Sequence, residues 1–67
     1  MERLRVKKVY KNKGEGILLN KDGDSIYFSY RDLENSEDLE NLEEGQSVKG
    51  EVVEDSNGNL IAKNIKL

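Results

Sequence analysis

Apolar and polar residues alternate along short stretches of this chain, and turn-forming residues separate the stretches. From Leu4 to Tyr10, Leu4 and Val6 share one face while Arg5 and Lys7 take the other. Val9 then falls out of phase, and one extra residue near Lys7-Lys8, a β-bulge, restores the alternation. Gly16 to Asn20 is short and apolar. Ser25 to Tyr30 sets Ile26 and Phe28 against Ser25, Tyr27 and Ser29. Ser47 to Asp55 has Val48 and Val52 in phase, with Gly50 between them. Leu60 to Leu67 carries Ile61, Ile65 and Leu67 in one phase and Leu60, Ala62 and Asn64 in the other. That last stretch is either covered on both faces or bulged. A period of two residues predicts strands, here five of them.

The punctuation between them is equally informative. Asn12-Lys13-Gly14 and Gly16 bracket a first tight region. Asp22-Gly23 and Asn57-Gly58 are pairs that favour the positive φ angles of two-residue hairpins. The stretch from Asp32 to Glu44 differs, since Leu33, Leu39 and Leu42 are its only apolar residues. Asp32 is expected to cap a short helical turn that places Leu33 in the core. The remainder reads as a long connection, with at most one helical turn between Asn35 and Leu42. Strands joined by hairpins, with one long crossover, predict an all-β fold. The expectation is a single domain over residues 1–67, a small five-stranded antiparallel barrel, closed or nearly closed. Closure also removes sheet edges, which a chain without proline cannot block that way.

Composition narrows the chemistry. The chain has 67 residues and contains no Cys, His, Pro or Trp. Disulfides and thiolate zinc sites are therefore excluded. Most nucleophile–base pairs cannot be assembled, so the expectation is a protein that is not an enzyme and carries no cofactor. Asp22 and Asp24 read as turn chemistry; a calcium loop would need a bidentate Glu that is missing. Charged residues (37%) outnumber hydrophobic ones (34%), which by itself suggests disorder. The regular placement of β-branched residues opposes that reading. Apolar runs reach only three residues, as in Ile17-Leu18-Leu19, too few for a membrane span or a signal-peptide core. A cytoplasmic location is expected.

The net charge of −3 conceals a strong asymmetry. Residues 1–13 hold six bases (Arg3, Arg5, Lys7, Lys8, Lys11, Lys13) against Glu2 alone. Residues 32–55 hold ten acids against Lys49 alone. The basic segment is either a footprint for a polyanion or one side of a solvated surface whose acidic side faces it. Overall acidity argues against tight binding to duplex DNA. A local basic patch still suits a short single strand.

The order of these features resembles the cold-shock domain, a five-stranded barrel of the oligonucleotide/oligosaccharide-binding (OB) class. Lys13-Gly14-Glu15-Gly16-Ile17-Leu18 is similar to that family's first ribonucleoprotein motif, Lys-Gly-Phe-Gly-Phe-Ile. Ile26-Tyr27-Phe28-Ser29-Tyr30 is similar to its second, Val-Phe-Val-His-Phe. Arg31-Asp32-Leu33 stands where the family has Ser-Ala-Ile. Leu42-Glu43-Glu44-Gly45-Gln46, then Val48, matches the segment before the family's fourth strand. Ala62-Lys63-Asn64-Ile65 resembles its closing Ala-Ala-Asn-Val. The likeness extends over nearly the whole chain.

The resemblance implies a protein that binds single-stranded RNA or DNA through bases stacked on surface aromatics. It also marks departures. The family's Lys-Trp-Phe-Asn is here Lys8-Val9-Tyr10-Lys11, so the Trp is gone. The two Phe of the first motif are Glu15 and Ile17, and the His of the second is Ser29. Tyr27, Tyr30 and Tyr10 remain as stacking candidates, with Phe28 expected to point inward. Lys8, Lys11, Lys13 and Arg31 are candidates for phosphate contact. Ile17 and Ser29 complete the candidate surface. Stacking contributes about 1–3 kcal/mol per base, so the thinned platform implies weak, sequence-tolerant binding. The implied role is on RNA structure, transcription or translation, by a monomer or weak dimer. The alternative is a repurposed barrel that binds a protein partner through the acidic segment 34–44.

Overall fold

The computed structural model describes residues 1–67, and its strands close into a small OB-like barrel. The elements are β1 (Glu2–Tyr10), β2 (Glu15–Leu19), β3 (Ser25–Ser29), β4 (Ser47–Glu54) and β5 (Leu60–Lys66). Two short 3₁₀ segments, Tyr30–Asp32 and Ser36–Asn41, lie in the crossover between β3 and β4. Around the barrel the strand order is β1-β2-β3-β5-β4, with β4 returning to β1.

One seam departs from the expected antiparallel barrel: β3 and β5 pair in parallel, with Tyr27 opposite Ile61. The cause is parity. Strands in a ring cannot all alternate in direction when their number is odd. The parallel seam is short, and the crossover extends it. Leu33 bridges Ile65, and the Glu34 N–H donates to the Ile65 carbonyl at 2.8 Å.

Two bulges bring the apolar residues inward. In β1, Val6 faces Leu18 and Lys8 faces Ile17, so Lys7 is the extra residue, where the phase slip of Val9 requires one. In β5, Asn64 and Ile65 together oppose Gly50, between the pairs Lys49–Lys66 and Glu51–Lys63. Asn64 has φ of 51°, the left-handed conformation that Asn tolerates better than most residues. The bulge resolves the two phases of β5: Ala62 and Ile65 both point inward, while Leu67 stays exposed. Gly50 makes room for it, since a Cβ there would lie 3.2 Å from the Ile65 side chain.

The core is one cluster of eleven buried residues. Leu4, Val6, Leu18, Ile26, Phe28, Val48, Ala62 and Ile65 come from the strands. Leu33, Leu39 and Leu42, the three apolar residues of the crossover, complete the cluster. No polar side chain is buried, so the interior has no hydrogen-bonding cost to offset.

Turn chemistry differs from expectation in three places. The hairpins at Asp22-Gly23 and Asn57-Gly58 are not two-residue turns. Gly23 and Gly58 have positive φ, but Asp22 and Asn57 do not. The loops instead close from Asn20 to Asp24 and from Asp55 to Asn59, as in three-residue hairpins with glycine in the left-handed position. The third difference concerns Asp32. Ser29, rather than Asp32, stands at the N-cap of the first 3₁₀ turn. Asp32 reaches back from the third position, accepting from the Ser29 N–H at 2.9 Å. Its outcome is as expected, since Leu33 enters the core.

Candidate nucleic-acid interface

Cross-strand neighbours share a face, so the registers define the outer surface directly. Lys8, Ile17 and Tyr27 form one outward row across β1, β2 and β3. Tyr10, Glu15 and Ser29 form the next. Between these rows, Val9, Gly16 and Phe28 belong to the inner face. Gly16 is indispensable to this packing: a Cβ there would lie 2.5 Å from the Lys8 carbonyl oxygen and 2.7 Å from the Phe28 ring. Phe28 stays buried but borders the outer surface here. A shallow depression of about 160 Å³ results, lined by Tyr10, Glu15, Gly16, Ile17, Tyr27 and Phe28.

All three tyrosines are accessible. Tyr27 is 50% exposed, Tyr10 42% and Tyr30 41%, while Phe28 is in the core. Ile17 is half-buried beside Tyr27. Tyr30 begins the first 3₁₀ turn and donates its N–H to the Gly14 carbonyl at 2.8 Å. Its ring lies against Gly14, where a Cβ would come within 2.9 Å of it. Gly14, with φ of 68°, thus closes the β1–β2 loop and seats the tyrosine at once.

The candidate cations divide into two pairs. Lys13 lies over the Tyr10 ring at 5.9 Å and Arg31 over the Tyr30 ring at 5.5 Å. Arg31 Nε also donates to the Tyr30 hydroxyl at 3.2 Å, and this bond pushes the guanidinium further above its ordinary pKa. Such exposed cation–π contacts are weak. Lys8 and Lys11 are turned toward the acidic crossover. Lys8 Nζ is 3.6 Å from Glu44, and Lys11 Nζ donates to the Glu40 carbonyl at 3.0 Å. Ser29 directs its hydroxyl to Asp32 at 3.5 Å. Glu15 lines the depression together with Tyr10 and Tyr27.

The Tyr27 row continues across the parallel seam in a way the motifs did not reveal. Tyr27 faces Ile61, and Ile61 faces Val53, which is 40% exposed. The apolar strip therefore runs over β2, β3, β5 and β4. The adjacent valines of β4 held the clue, because a strand can turn only one of Val52 and Val53 inward. No protein-family model matches this chain, and no curated protein matches it.

Proposed function

We propose that this protein binds single-stranded nucleic acid, RNA or DNA, in the manner of the cold-shock domain that its sequence resembles. The observation that carries the reading is the accessible Tyr27 ring in a row with Lys8 and Ile17, beside Tyr10 and its depression. Flat rings offer every base a stacking surface, which makes binding tolerant of sequence. Tyr27 and Tyr30 stack bases, with Tyr10 at the margin. Lys13 and Arg31 contact phosphates first, and Lys8 and Lys11 join them by releasing the acidic crossover. Glu15 opposes the strand's charge and keeps affinity low. Such a protein holds RNA unpaired and acts on transcription or translation.

Titration of a fluorescent pyrimidine-rich heptanucleotide at low salt tests this. The expected result is binding in the micromolar range that weakens with salt and is lost in the Tyr27→Ala/Tyr30→Ala double variant. Absence of binding up to millimolar strand refutes the reading.

A second reading draws support from the Lys8–Glu44 and Lys11–Glu40 contacts, which close part of the basic surface. In that reading the barrel is a protein-interaction module, and segment 34–44 docks on a basic partner. Strand binding by the wild-type chain decides against it.

A further inference from the structure

A second concentration of positive charge lies elsewhere on the barrel wall. Arg3 of β1 stands opposite Lys49 of β4, and Lys49 stands opposite Lys66 of β5. The three side chains form one outward row spanning about 10 Å, at roughly 4.8 Å per strand. Arg5 lies two residues along β1 on the same face, opposite Ser47. Two surface depressions, of about 600 and 390 Å³, share Arg3 and Ser47. Arg5 and Lys21 border the first, Lys49 and Lys66 the second.

This arrangement works against stability. Like charges directly opposite one another on adjacent strands repel. Among the other cations, Lys8 meets Glu44 and Lys63 meets Asp32. Here only Lys66 has a carboxylate partner, Glu34 at 3.7 Å, and both side chains are more than half exposed. Glu2 is the one acid in the lining of the two depressions. The chain as a whole holds 14 acids and 11 bases, yet five bases gather here. A local rule broken without compensation inside the fold points to a partner outside it.

We propose that the Arg3–Lys49–Lys66 row, with Arg5 and Lys21, is a second polyanion surface that holds a phosphodiester backbone by charge alone. The guanidinium forks of Arg3 and Arg5 suit phosphate oxygens, and the lysines add point charges around them. A protein partner fits less well, because protein interfaces rely on aromatic anchors and no aromatic residue lines either depression. The surface reads no bases. It is independent of the tyrosine face and does not need that face to function.

The test uses a probe that cannot stack: a fluorescent 20-unit abasic deoxyribose-phosphate strand, titrated into the full chain at low salt. Binding is expected, with log K falling as log salt rises by about 0.7 for each phosphate engaged. The Arg3→Ser/Lys49→Ser variant should bind on the order of tenfold more weakly, with a slope shallower by about 1.4. Tyr27→Ala/Tyr30→Ala should bind the abasic strand as the wild type does. Thermal melts of both variants establish that they are folded. No abasic binding at low salt overturns the proposal. So does binding that survives loss of Arg3 and Lys49, or equal affinity for polyglutamate of matched charge. The heptanucleotide affinity lost in Tyr27→Ala/Tyr30→Ala, compared with that lost in Arg3→Ser/Lys49→Ser, reports on the tyrosine face separately, so either surface can fail without the other.

Discussion

Asn20 and Asp55 occupy the same position in two hairpin loops and make the same bonds. Asn20 Oδ1 accepts from the N–H groups of Asp22 at 3.0 Å and Asp24 at 2.9 Å. Asp55 Oδ1 accepts from those of Asn57 and Asn59, both at 2.9 Å. In each loop a glycine with φ of 82° donates to the carbonyl of the first residue at 3.1 Å. One side-chain oxygen thus organises five residues, amide in one case and carboxylate in the other.

The difference makes one hairpin sensitive to acid. The Asn59 N–H, aided by that of Asn57 and by the Asn59 side chain, holds the Asp55 carboxyl below its ordinary pKa, against a smaller opposing effect of desolvation. A depressed folded-state pKa stabilises the fold above the unfolded value of about 3.9, and the contribution is lost as pH falls through the folded value. Asp55→Asn copies the chemistry of Asn20 without the charge. Its melting temperature should fall below that of the wild type at pH 7, and the gap should narrow below about pH 4. Thermal melts from pH 7 to pH 2 measure this. A gap that widens in acid contradicts it.

Gly16→Ala should be the most damaging glycine substitution. The Lys8 carbonyl and the Phe28 ring crowd the new Cβ from two sides, and the first is backbone in a paired strand. Overpacking of this kind costs about 1–3 kcal/mol, occasionally more. Gly14→Ala meets only the Tyr30 ring, which can swing aside, although its positive φ adds strain. Urea denaturation should place Gly16→Ala well below Gly14→Ala in midpoint. Tyrosine fluorescence should change more in Gly14→Ala, because Tyr30 moves.

Asp32 joins three parts of the chain. It accepts from the Ser29 N–H, lies 3.2 Å from Lys63 Nζ in β5, and has a side chain only 13% exposed. Asp32→Ala removes the acceptor of the Ser29 N–H and a partly buried ion pair together, at a cost of about 1–3 kcal/mol. Asp32→Asn retains an acceptor for Ser29 and should recover part of that loss. Equal midpoints for the two variants in urea would show that the charge toward Lys63 carries the whole effect.

These contacts mark how far the sequence alone could be read. The β1 bulge was legible because Val9 has no other way to face the core. The β5 bulge was not, since both phases of Leu60 to Leu67 contain apolar residues. Asp-Gly and Asn-Gly announced hairpins, but the loop length depends on Asn20 and Asp55, which stand three residues before the glycines. A closed or nearly closed barrel followed from strand spacing and the long crossover, while full closure and the register at the parallel seam depend on packing. The exposure of Tyr27 was legible, because it alternates with Ile26 and Phe28. The turning of Lys8 and Lys11 toward the crossover was not, because Lys11 and Glu40 are 29 residues apart.

Glu15 should limit affinity for a single strand. It lines the depression with Tyr10 and Tyr27, where a strand bound as proposed would bring a phosphate close. Glu15→Gln removes the repulsion while keeping the shape of the side chain. Affinity for the pyrimidine-rich strand should rise several-fold at low salt, and the gain should shrink as ionic strength increases. Fluorescence titrations at two salt concentrations measure both effects. Unchanged affinity would place the strand away from this depression.

The row of Arg3, Lys49 and Lys66 should reveal itself in stability before any ligand is added. Lys49 has a cation opposite it on each side. Lys49→Glu turns three like charges into an alternating row and leaves the inward neighbours Val48 and Gly50 untouched. The melting temperature should therefore rise at low salt, where the interaction is unscreened. Near 1 M salt the Debye length is about 3 Å, and the advantage over the wild type should largely disappear. Wild-type stability should itself increase with salt over the same range if repulsion in this row dominates. Melting curves of the two proteins at low and high salt separate the charge effect from packing. A lower melting temperature for Lys49→Glu at low salt would mean that Lys49 has favourable contacts outweighing its two cationic neighbours.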